Sequence, residues 1–129
     1  TINGSVIKTG ADTIHAKNHS NVTIDNKGTI SASTNQAINM QHAVNTTVTN
    51  SGTIEATLRN AILMDGDNAD NNTINNSGTL KAGKKQVILA TNSENTTIIN
   101  SGSIETTNSS NPNTGGINYY NTSTINPSR

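Results

Sequence analysis

The chain has 129 residues, of which 29% are hydrophobic and 12% charged, and its net charge is zero. Scattered Lys and Arg give no clustered basic footprint, so nucleic acid is not an expected partner. No cysteine is present, which excludes a disulfide framework or a thiolate metal site, and no apolar run nears the roughly 20 residues that cross a bilayer, so this segment is not expected to insert into a membrane.

A composition this lean in hydrophobics, with two Tyr and no Phe or Trp, normally belongs to disordered chains, but those also carry high charge. Here Asn, Thr and Ser make up 57 residues, and the apolar remainder is mostly Ile, Val, Leu and Ala placed at regular intervals. Periodic β-branched residues imply a folded, β-rich chain with a narrow core.

In chain order, Gly4 comes first, followed by four copies of one twelve-residue phrase: NVTIDNKGTISA (21–32), NTTVTNSGTIEA (45–56), NNTINNSGTLKA (71–82) and NTTIINSGSIET (95–106). The glycines at 4, 28, 52, 78 and 102 are spaced by 24, 24, 26 and 24 residues. Such a period means one structural unit stacked on copies of itself. Within each phrase, alternation along a strand puts Ile24 inside with Asn26, and Thr23 outside with Asp25. The following glycine is expected to turn a tight corner at positive φ, after which Ile30 and Ala32 point inward again.

A third strand follows each phrase or precedes the next: TIHA (13–16), AINM (37–40), AILM (61–64), VILA (87–90) and GINY (116–119), aligning Ile14, Ile38, Ile62, Ile88 and Ile117. Three short strands per repeat predict an all-β fold, a right-handed parallel β-helix or three-sided β-solenoid of about 24 residues per coil. About five coils, each rising by roughly 4.8 Å, make a rod of about 25 Å. The whole of 1–129 reads as one solenoid segment, with an inserted loop at 107–115. Without an initiating Met or a secretory leader, it reads as a mature product or an excised piece, part of a longer rod or a subunit stacking end to end.

Two asparagine columns accompany the apolar ones: Asn21, Asn45, Asn71 and Asn95 open the phrases, and Asn26, Asn50, Asn76 and Asn100 precede the glycine corners. Both are expected to form amide ladders, each side chain donating to its neighbour one coil along.

The repeated N-S-G-T-I unit resembles passenger domains of bacterial type V autotransporters and related secreted surface adhesins, over residues 1–125. The resemblance implies a cysteine-free right-handed parallel β-helix that folds outside the cell, is displayed at the bacterial surface, and serves structure and adhesion rather than catalysis. Its partners would be a host or bacterial surface protein or a glycan, or other copies through rod sides or coil ends. A carbohydrate-active β-helix enzyme, of the lyase or tailspike kind, and a self-assembling extracellular fibre subunit stand as alternatives.

Residues outside the repeat are the candidates for local function. The loop DGDNADNN (65–72) gathers Asp65, Asp67 and Asp70, oxygen ligands of the type calcium takes, but it has neither the glycine at the sixth position nor the glutamate at the twelfth that a calcium-binding loop requires. A solvated loop accommodating the two extra residues is the plainer reading, and no other cofactor is expected. N-x-[ST] sequons at Asn3, Asn18, Asn21, Asn45, Asn71, Asn75, Asn95, Asn108 and Asn121 arise largely from the repeat itself. His15, His19 and His42 belong to no catalytic or metal motif. On the third strand, Ala61, Leu63, Val87 and Leu89 are expected to face outward as an apolar patch for partner contact. Tyr120, after the 107–115 insertion, is a further contact candidate.

Overall fold

The computed structural model describes residues 1–107 and 116–120. Those residues form fourteen short β-strands and no helix: β1 (Ser5–Lys8), β2 (Ile14–His15), β3 (Thr23–Asn26), β4 (Thr29–Ala32), β5 (Ile38–Asn39), β6 (Thr47–Asn50), β7 (Thr53–Ala56), β8 (Ile62–Asp65), β9 (Thr73–Asn76), β10 (Thr79–Ala82), β11 (Ile88–Thr91), β12 (Thr97–Asn100), β13 (Ser103–Thr106) and β14 (Ile117–Tyr120). They stack into three parallel sheets, ordered β1-β4-β7-β10-β13, β14-β11-β8-β5-β2 and β12-β9-β6-β3. The result is a β-solenoid of about four turns with the spacing of the glycines. Two sheets have five rungs and the third has four, because only an isolated bridge from Ile2 to Asn26 continues that third sheet below β3.

Register follows the repeat. Ile24, Val48, Ile74 and Ile98 align in one sheet, Ile30, Ile54, Leu80 and Ile104 in the second, and Ile14, Ile38, Ile62, Ile88 and Ile117 in the last. Most of these side chains are fully buried, and they fill the interior together with Ala32, Ala56, Ala82, Met40 and Met64. No single coil can enclose its own apolar face, so burial comes from stacking. Each coil offers the next a complete ladder of backbone donors and acceptors, which is how a core this thin holds its chain in place.

The glycines act differently from the sequence expectation. Gly28, Gly52, Gly78 and Gly102 are absent from the positive-φ residues, and their requirement is closeness: a Cβ at Gly52 would lie 2.0 Å from the carbonyl oxygen of Gly28, and one at Gly78 would lie 2.1 Å from that of Gly52. Left-handed backbone falls instead on Asn21, Asn45, Asn71 and Asn95, with φ of 58°, 53°, 56° and 52°, and on Asn18, His42, Asn68 and Asn92 three residues before them. His42 and Asn68 each stand third in a tight turn, closed by the backbone bonds Ala43 N to Met40 O (3.1 Å) and Ala69 N to Gly66 O (3.2 Å). Asn is among the few residues with a Cβ that visit this region readily.

The third-strand patch also needs correction. Ala61 and Val87 are fully buried members of the core rather than outward residues. They sit just before β8 and β11, where the chain rounds a corner, so two consecutive residues (Ala61 and Ile62, Val87 and Ile88) both point inward and strict alternation does not yet apply.

Candidate functional site

The inner asparagine column is a continuous ladder. Asn26 Nδ2 donates to Asn50 Oδ1, Asn50 Nδ2 to Asn76 Oδ1, and Asn76 Nδ2 to Asn100 Oδ1, each at 2.7 Å. The same nitrogens approach the corner carbonyls of Gly28, Gly52 and Gly78 and the next coil's Thr53, Thr79 and Ser103 carbonyls at 3.1–3.2 Å. Asn26, Asn50 and Asn76 are wholly buried. At the lower end the ladder stops, because Ile2 stands in register with Asn26, and Asn26 Oδ1 has no donor.

The outer asparagine column behaves as a set of turns. All four members are exposed, and Asn45 Nδ2 donates to Asn21 Oδ1 at 3.3 Å. Its left-handed geometry explains the recurring Asn better than side-chain stacking does. Beside it lies a buried polar column that the sequence did not advertise: Thr46, Asn72 and Thr96. Asn72 spends its amide on the coil below, accepting from Thr46 N and donating to Ala43 O, both at 2.8 Å, and the Thr96 hydroxyl above it has no partner.

The three aspartates do not converge. Asp65, at the end of β8, accepts from the Thr91 hydroxyl, and Asp70 Oδ1 accepts from Glu94 N at 2.8 Å. Asp67 and Asp70 border an open hollow of about 340 Å³ together with Asn68, Asn92 and Glu94, without Asp65. Among the described residues no group of three His, Cys, Asp or Glu side chains is arranged to hold a metal ion. The loop does take up the two extra residues: Gly66, at φ 110°, packs against the His42 ring, whose Nδ1 lies 2.8 Å from Asp67 O.

A second surface lies outside the third sheet. Asn39, Leu63 and Leu89 share its outward register, and around them runs a groove of about 330 Å³. Arg59 and Lys85 border it where the chain enters the strands, and Gln41 and Asp65 where it leaves them. Leu63 is 5% exposed, while Leu89 is half-buried. The expected patch is therefore narrower than four residues, and polar side chains frame it. Residues 108–115 of the insertion, the side chain of Tyr120, and the sequons at Asn108 and Asn121 lie outside the described residues.

The fold and these surfaces define the chain as a parallel β-solenoid. No protein-family model matches it, and neither the curated proteins nor the solved structures contain a match.

Proposed function

We propose that this chain is a structural and adhesive rod segment of a secreted or surface-displayed bacterial protein of the autotransporter kind, presenting contact surfaces to host or neighbouring cells. The observation that carries this reading is the complete use of the repeated residues for stacking: Ile inside, Asn in the ladder or the turns, Gly at the close approaches. A rod of this kind holds its outer faces rigidly, and recognition then belongs to the side chains that depart from the repeat.

The test is a glycan and surface-protein array probed with the purified chain, followed by product analysis of every glycan bound. Retention without turnover supports the adhesive rod; cleavage replaces it with a carbohydrate-active enzyme. A fibre subunit is the second reading, since parallel coils in register, as between β4, β7 and β10, present strand edges on which a further copy could stack. Electron microscopy at rising protein concentration separates the two, since the fibre reading requires filaments and the rod reading requires isolated particles.

A further inference from the structure

We propose that the groove outside the third sheet binds an acidic polysaccharide carrying a carboxylate on each sugar, a deepening that rests on the adhesive reading above. Three features of the groove converge on that ligand. The first is charge. Arg59 and Lys85 occupy equivalent places in adjacent coils, each three residues past the aligned pair Ala56 and Ala82, so the two cations recur along the rod at the inter-strand spacing of about 4.8 Å. Neither makes a hydrogen bond or ion pair among the described residues, whereas Lys27 on another face lies 3.9 Å from Asp25. Asp65 also lines the groove and accepts from the Thr91 hydroxyl, which leaves its charge in place, so Arg59 and Lys85 keep the lining net positive. Two unpaired cations at a fixed repeat suit a polymer whose negative groups recur once per ring.

The second feature is the hydrogen-bonding rim. Gln41 and Gln86 border the groove, and amide side chains both donate and accept, as sugar hydroxyls require. The backbone beneath Gln86 is fixed, because its carbonyl accepts from the buried Asn60 side chain at 2.7 Å. The third feature is the floor. Leu89, half-buried above Leu63, offers a small apolar surface for the C–H face of a ring. A neutral glycan would leave both cations unanswered, and a nucleic acid would need a far larger basic field than two side chains supply.

Binding by the full chain is measured with a tetramer of galacturonic acid and with its fully methyl-esterified counterpart, which keeps the rings and loses the charge. The free acid is expected to bind at least tenfold more tightly, with affinity falling as salt rises. Arg59→Gln should weaken it about tenfold, because a guanidinium pairs with carboxylate through two parallel bonds, and Lys85→Gln by several-fold. Lys27→Gln should change it by less than twofold. All four proteins should melt alike, as the substituted side chains are outside the core. Equal binding of acid and ester, no binding of the acid, or full affinity in the Arg59→Gln, Lys85→Gln double variant would overturn the proposal. If the chain still adheres to cells in any of those cases, the groove assignment fails alone; if it adheres to nothing, the adhesive reading fails with it.

Discussion

Replacing Asn50 by leucine separates a ladder held by hydrogen bonds from one that merely fills space. Asn50 is fully buried, accepts from Asn26 at 2.7 Å and donates to Asn76 at 2.7 Å, with further approaches to the Gly52 and Thr79 carbonyls. Leucine has comparable volume and no polar atoms, so Asn76 Oδ1 is left buried without a donor, at a cost of about 1–3 kcal/mol, and the remaining lost bonds add about 1 kcal/mol each. Burial of the leucine returns about 2 kcal/mol. The balance is a destabilisation of about 2–4 kcal/mol, although the chain has become more hydrophobic. Asn100→Leu is the internal control: Asn100 ends the described ladder, and without it Asn76 Nδ2 keeps the Gly78 and Ser103 carbonyls, so the loss should stay below about 1 kcal/mol. Urea unfolding followed by far-UV circular dichroism measures both. An Asn50→Leu midpoint at or above the wild type, or equal losses at the two positions, would refute the reasoning.

Other substitutions probe the remaining columns. Thr96→Val removes a buried hydroxyl that has no partner and should raise stability by about 1 kcal/mol, read as a higher thermal midpoint. Gly52→Ala drives a Cβ to 2.0 Å from the Gly28 carbonyl oxygen and should prevent close stacking of those coils, seen as a loss of strand signal, whereas Gly10→Ala, with open space around it but φ of 83°, should cost only about 1–2 kcal/mol. At the left-handed Asn45, valine should cost more than 1 kcal/mol and glycine almost nothing in the same melts. Leu89→Lys should leave the fold intact and alter surface binding, while Leu63→Lys should lower the melting midpoint as well, because Leu63 is 5% exposed.

Much of this fold is legible in the sequence because the repeat states the register outright. Once Ile24, Val48, Ile74 and Ile98 are aligned by their phrases, the parallel pairing and the inward columns follow, and the structure has those pairs. What the phrase does not reveal is why a residue recurs. Glycine is the usual carrier of positive φ, yet Gly28 and its equivalents answer to a backbone one coil away, a contact with no trace in local sequence. The outer Asn column looks identical in spacing to the inner one, although one turns the chain in the open and the other bonds in the core. Ala61 and Val87 mislead for a related reason: alternation belongs to strands, and they stand at the corner before one. In the candidate groove, Leu63 and Leu89 were readable as outward neighbours, but Arg59 and Lys85 were not, since they precede the strand and join its border only when the corner folds back. The equivalence of positions 59 and 85, after correction for the two-residue insertion, was the signal that could have found them.

The central structural claim is that stacking alone lets a chain with 29% hydrophobic residues hold a narrow, ordered core. Hydrogen–deuterium exchange resolved along the chain tests it most directly. The expected result is slow exchange recurring with the repeat, strongest in the middle coils over β6, β7, β9 and β10, whose strands are paired on both sides, and fast exchange at the exposed Asp67 and Asn68 of the loop. Uniformly rapid exchange, with no periodic protection, would contradict it.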